Sequence, residues 1–169
     1  MRRLVLAVTA AALAIGIVAA PAAARTAKPA NIVDIAVAAS QANPGEFKTL
    51  VAAVLAADPA VVATLSKQRQ LTVFAPTDAA FAKLGLTPDN IGTALTKAQL
   101  TGILLYHVAP GARYAADVVD SSRIRTLGGG FLAVSIRDGA AYVTDSQIVA
   151  TNIKATNGVI HVIDTVLLP

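Results

Sequence analysis

The sequence predicts an α+β domain, with helices gathered on one side or end of a largely antiparallel sheet. Two observations carry that prediction. Between Asn31 and about Leu105 most apolar residues recur at helical spacing, with LTVFA as a β-branched interruption. From Ser122 onward short β-branched runs alternate with turn signals such as Asp138-Gly139 and Asn157-Gly158. The 169 residues show no internal repeat and suit one domain with an appendage.

The elements follow in order. Asn31 can cap a short helix in IVDIAVAAS, with Ile32, Ile35, Ala36 and Ala39 on one face. In NPGEFKTLVAAVLAADP, Asn43 suits an N-cap and Pro44 a first helical position. Phe47, Leu50, Val51, Val54 and Leu55 then form one apolar stripe. Asp58-Pro59 starts another helix. LTVFA reads as a strand that Pro76 stops. Thr77 can cap a helix that carries Asp78 in its first turn, with Gly85 closing it. Thr87-Pro88-Asp89 repeats the start signal, and a further helix over about Lys97–Leu105 feeds Tyr106, His107 and Val108. Strands are expected at 122–126, 131–136, 140–144, 148–154 and 159–168, with Gly128-Gly129-Gly130 as a flexible turn.

The N-terminal stretch MRRLVLAVTAAALAIGIVAAPAAA has a basic start, an uncharged apolar run and small residues at its end. That pattern predicts a secretory signal over 1–24 cut after Ala24, a short linker over 25–30 and a domain over 31–169. An uncut signal would instead hold the chain in a membrane. The signal leads to a secreted or periplasmic destination. With no cysteine, neither disulfides nor a lipid-modified cysteine can form.

Charge excludes one function class. From Ala30 onward ten Lys and Arg face ten Asp and Glu, so the positive formal charge of the full chain belongs to its first 28 residues. A neutral domain with four Phe and three Tyr has no electrostatic footprint for nucleic acid. Arg113, Arg123, Arg125 and Arg137 lie dispersed among acids, and the last strand but four places Arg123 and Arg125 on one face. Charge protecting a strand edge accounts for that pair.

Catalytic patterns are missing from the sequence. No GxSxG segment occurs, His107 and His161 are flanked by aliphatics, and neither stands at metal-ligand spacing. The glycine triplet lacks a following GK[ST]. Asp117, Asp120, Asp138 and Asp145 fit solvated turn positions better than paired catalytic carboxylates. No catalytic residue, metal or cofactor is therefore assigned. In ILLYHVAPG, His107 is read as a buried hydrogen-bonding post or a ligand contact, with the post favoured. If Tyr106 and His107 lie on a strand, their rings point to opposite faces. Asp164 shares a face with Ile160, Val162 and Val166 and is assigned a structural role at a sheet margin or on backbone.

Three segments, LTVFAPTDAAFAKL (71–84), LLYHVAPG (104–111) and NGVIHVIDTVLLP (157–169), resemble the signature segments of the fasciclin-like domain family in order and spacing. NIVDIAVAA and FKTLVAAV also resemble that family's opening helices, and the small secreted form is similar to its bacterial members. The resemblance implies a wedge or sandwich of mainly antiparallel strands with a cluster of helices. It implies a non-enzymatic adhesion or binding role outside the cytoplasm, toward a protein or cell-envelope polymer. Through the family's Tyr-His segment it points to Tyr106 and His107 as binding residues, and it places Thr77 and Asp78 beside His107 as partners. The alternative it implies is a carrier of a hydrophobic small molecule such as a carotenoid.

Overall fold

The structure, a computed structural model, describes residues 30–42, 46–67 and 69–169. The expected signal, most of the linker, and the expected Asn43 cap with Pro44 lie outside the described residues.

Helix α1 (Ile32–Gln41) starts on Asn31, whose Oδ1 accepts from Asp34 N at 3.0 Å while the Asp34 carboxylate accepts from Asn31 N at 3.1 Å. Helix α2 (Lys48–Ala56) begins beyond the expected proline, and Phe47 stands at its N-cap with φ 66° instead of inside the helix. No side chain of its own caps α2. The Asp78 carboxylate does so from a distance, accepting from Lys48 N at 3.1 Å and Thr49 N at 2.7 Å. Helix α3 (Pro59–Ser66) takes Asp58 as its cap, with Ala60 N at 2.8 Å from Oδ1.

Strand β1 (Leu71–Pro76) leads into helix α4 (Asp78–Ala82), capped by Thr77 as expected, with Ala80 N 3.2 Å from Oγ1. At Thr87–Asn90 the chain makes a turn before the short helix α5 (Ile91–Ala94), so the Pro88 start signal serves a turn. Helix α6 (Lys97–Tyr106) opens on a Thr96–Gln99 capping box. Strand β2 (Val108–Pro110) and helix α7 (Ala115–Val119) follow. The remaining strands are β3 (Arg123–Arg125), β4 (Phe131–Arg137), β5 (Ala140–Val143), β6 (Ser146–Ala155) and β7 (Gly158–Ile163). Asp138 and Gly139 turn β4 into β5 with φ 51° and 77°, the doubly left-handed geometry this dipeptide favours.

The seven strands form one sheet in the order β2-β1-β7-β6-β5-β4-β3. Neighbours pair antiparallel except β1 and β7, which run parallel from Leu71↔Gly158 to Pro76↔Ile163. The two ends of the order meet where Leu127 N donates to Val108 O at 2.7 Å, so the sheet nearly closes on itself. Every residue of β1 and β7 is buried, because the two strands are covered on both faces. Val73, Ala75 and Ile160 join a first core beneath the helices. Phe74 and Ile163 join a second core inside the sheet with Val118, Ile124, Leu132 and Val143. Strand β7 stops five residues short of its expected end, yet Val166 and Leu167 remain buried past it.

Gly158 is where β7 comes against β1. A Cβ there would stand 2.0 Å from Leu71 O, closer than any two such atoms pack.

Candidate functional site

Of the residues singled out by the sequence, Tyr106 and His107 stand together at the end of α6. Tyr106 is the last helical residue and His107 is the C-cap, with φ −82° and ψ −3°. The expected alternation of the two rings across a strand therefore does not occur, since the strand starts one residue later. His107 is 3% exposed. Its Nδ1 lies 2.7 Å from Ile103 O and its Nε2 lies 2.9 Å from Leu167 N. The carbonyl can only accept and the amide can only donate, so Nδ1 carries the proton and Nε2 is the acceptor. The ring thus ties the last turn of α6 to the segment after β7. Its own carbonyl accepts from Phe74 N at 2.9 Å and ties α6 to β1 as well. Burial pushes the His107 pKa down to about 4, against the smaller opposite pull of the Ile103 carbonyl.

Thr77 and Asp78 do not reach this ring, contrary to the expected partnership. The reason is local. A histidine closing a helix finds the carbonyl one turn back within reach, and Leu167 N supplies the second bond. Asp78 is committed to the start of α2, and Thr77 to α4, with Thr77 N donating to Ile163 O at 3.1 Å. Asp164 lies just past β7 at the sheet margin. Its Oδ1 accepts from Gln147 N at 2.9 Å, and Lys83 Nζ stands 3.5 Å from Oδ2.

Tyr106 is half-buried against the second core, and its hydroxyl donates to Phe131 O at 3.3 Å. The glycine triplet lies over it. A Cβ on Gly130 would stand 2.4 Å from Tyr106 Cε2, and one on Gly128 2.9 Å from Tyr106 N. These glycines, read as a flexible turn, are small because the turn clamps the end of α6, with Gly128 N donating to Leu105 O at 2.9 Å.

Two residues escaped the sequence reading as site residues. Asn157, read as a hairpin residue, accepts from Ile32 N at 2.9 Å and donates from Nδ2 to Leu65 O at 2.6 Å and Lys67 O at 3.1 Å. It stitches α1 and α3 to the sheet, and only the folded chain shows its partners. His161 stacks on Phe74 with ring centroids 5.7 Å apart and donates from Nε2 to Arg113 O at 2.8 Å. Burial lowers its pKa also.

Two clefts open into the first core, one between α2, α4, α5 and α6 and one beneath α1. Around the latter, helices α1, α2 and α3 and strand β1 enclose about 140 Å³ between Ile35, Val51, Val54, Leu55 and Val73, and its exposed wall is wholly apolar. The α2 stripe predicted from sequence lines this cleft. Leu55, expected in the core, stands at its lip and is 75% exposed. Among the described residues no three His, Asp or Glu side chains gather to hold a metal ion, and no single helix is long and apolar enough to cross a membrane.

The fasciclin domain profile matches residues 45–169, most of the chain. The chain belongs to the fasciclin domain family. Among curated relatives, protein sll1483 of Synechocystis is 44% identical over 124 residues, which cover 73% of this chain and 67% of that protein. Immunogenic protein MPB70 of Mycobacterium bovis is 39% identical over 139 residues, covering 80% of this chain and 68% of the relative. Transforming growth factor-beta-induced protein ig-h3 of Sus scrofa is 37% identical over 125 residues, but the match spans only 18% of its length. The fold is shared with the fasciclin domain pair of the insect cell adhesion molecule fasciclin I, at TM-score 0.57 and 16% identity over 75% of this chain and 46% of that one. Fasciclin domains are generally extracellular adhesion or binding modules.

Proposed function

We propose that this fasciclin domain is a non-enzymatic binding module outside the cytoplasm, contacting a protein or a cell-envelope polymer. The observation that supports this reading best is the use of its two histidines. Both are buried: His107 spends both ring nitrogens on backbone groups, and His161 donates from Nε2 to Arg113 O while its buried, unbonded Nδ1 has no hydroxyl hydrogen-bonded to it, so neither is set beside a nucleophile as base. Thr77, Asp78 and Asp164 likewise spend their polar atoms on helix starts and a sheet margin. In this reading those residues and His107 form the frame, and Tyr106 is the member of the Tyr-His pair nearer the surface. The chain is exported, cut after Ala24 and left secreted or periplasmic. The test is co-sedimentation of labelled protein starting at Arg25 with isolated envelopes of the native source. Saturable binding displaced by unlabelled protein is expected. A protein that stays wholly in the supernatant would overturn the reading.

The apolar cleft between α1, α2 and α3 supports a second reading, carriage of a hydrophobic small molecule such as a carotenoid, with only part of the guest inside, since about 140 Å³ is less than the roughly 300–1,000 Å³ of sites that enclose a whole ligand. Protein purified from the native source would then release an apolar compound on solvent extraction. Val54→Asp, which places a charge on the cleft wall, would abolish that yield. An empty extract from well-folded native protein excludes this second reading.

A further inference from the structure

The outer face of β3, β4 and β5 gathers charge that the sequence scatters. In antiparallel strands, directly opposed residues share a face. Arg123 opposes Ala133 and Arg125 opposes Phe131. On β4 the same face continues through Ser135 to Arg137, and Ser135 opposes Tyr142 on β5. Ile124, Leu132 and Val143 on the opposite face are buried in the second core, and Arg123, Arg125, Phe131, Ala133 and Arg137 on this face are exposed; at the hairpin end Ile136 opposite is exposed too, and Ser135 is half-buried. Three guanidinium groups therefore share it, and no carboxylate does. Asp120, Asp138 and Asp145 lie in the neighbouring helix end and turns, and none of them pairs with these arginines. Among the described residues the one ion pair is Lys83–Asp164, on another part of the molecule.

Two of the three arginines are held in place by rings. The Arg123 guanidinium lies 5.0 Å from the centre of Phe131, and that of Arg137 lies 5.1 Å from the centre of Tyr142. Phe131 itself is 53% exposed. A guanidinium resting over a ring loses some freedom while its N–H donors stay available to a carboxylate. The groups also form a line. At about 3.3 Å per residue, the positions from Phe131, opposite Arg125, to Arg137 span roughly 20 Å along β4.

The geometry points to this sheet face as the docking surface for a linear acidic polysaccharide, its carboxylates taken by Arg123, Arg125 and Arg137 and its sugar rings lying against Phe131. The inference names the partner class of the binding role proposed above and rests on that reading. A duplex nucleic acid is disfavoured, because it carries a charge about every 1.7 Å of its axis and three arginines along roughly 20 Å meet few of them, whereas the sparser carboxylates of a sugar-acid chain suit three separate forks.

The experiment is affinity electrophoresis of protein starting at Arg25 in gels containing polygalacturonate, over a range of salt. Wild-type protein should be retarded, and less so as salt rises. The triple variant Arg123→Ser, Arg125→Ser, Arg137→Ser should lose about tenfold or more in affinity, from three exposed charge-assisted contacts. The triple variant Lys67→Ser, Arg69→Ser, Lys97→Ser removes the same charge from exposed positions on the helical side and should bind like wild type. Equal loss in both variants, no loss in the first, or stronger retardation by single-stranded DNA of matched charge would each overturn the inference. Wild-type protein that sediments with envelopes yet ignores polygalacturonate overturns this inference alone. Protein that does neither overturns the binding role as well.

Discussion

The helical layer and the outer sheet are built on different terms. In the helical layer, α1, α2 and α3 lean on β1 and β7 with the 140 Å³ cleft left between them. The helices are fixed at their ends by polar side chains, some reaching across the chain, as Asp78 and Asn157 do. In the sheet, Phe74, Val118, Leu132, Val143 and Ile163 are fully enclosed, and the outer face carries charge. Each layer therefore suits a different kind of partner. Room for an apolar guest exists only where packing is incomplete. A charged guest needs the rigid face, since arginines on a closed sheet keep their spacing.

Removing residues 157–169 should abolish both layers, because it takes away Asn157, β7 and the His107 partner Leu167 together. Fully burying a large aliphatic contributes roughly 1.5–3 kcal/mol, so losing Val159, Ile160, Val162 and Ile163 alone rivals a total stability of about 5–15 kcal/mol. Soluble truncated protein with a cooperative urea transition would contradict this.

A matched pair of truncations sharpens the contrast. Val143→Ala in the enclosed sheet core should cost about 2–3 kcal/mol, whereas Val54→Ala on the cleft wall should cost about 1 kcal/mol, because Val54 already faces an open space. Urea midpoints that shift equally would erase the distinction.

Acid should loosen the joint between the layers. His107 titrates near pH 4 in the folded chain against 6.5 as its ordinary value, so the unfolded chain takes the proton first. Stability is complete above pH 6.5, falls as pH drops, and levels off below about 4, a loss of about 3 kcal/mol. Buried His161, also pushed down, adds to the loss in the same direction. Protonated Nε2 can no longer accept from Leu167 N. Urea unfolding at pH 7 and pH 4 measures this, and His107→Gln should show a smaller difference between the two. An unchanged difference would assign the acid loss to other groups.

A further effect is expected at a helix end. Asp78→Ala strands the Lys48 and Thr49 amides and should cost about 1–2 kcal/mol. With no shared partner, it should add to His107→Ala within about 0.5 kcal/mol. Stronger coupling in that double-mutant cycle would restore the partnership that the sequence suggested.

Features settled within a few residues were legible before folding. Asn31, Asp58 and Thr77 cap the helices they precede, and Asp138-Gly139 turns the hairpin it spells, because each depends on its own backbone. Features that need two distant segments were not. Asp78 looked like part of its own helix and caps another, and Asn157 looked like a turn and joins three elements. His107 was legible as a buried post from its apolar neighbours, but its partner Leu167 is sixty positions away. The shared face of Arg123 and Arg125 follows from alternation alone. Adding Arg137 required the register of β3 on β4, which no local pattern encodes.

The parallel pairing of β1 with β7 sets a clock. Leu71 is paired with Gly158, 87 positions further on, and everything between must be made before β1 gains that neighbour. Until then a six-residue strand, buried on both sides in the finished domain, stays half-zipped against β2 alone. Pairings this distant in sequence slow folding, because loop closure must come before the contacts that reward it. Were the chain exported by the route proposed above, that delay would leave the thread unfolded during passage, and the domain would lock on the far side.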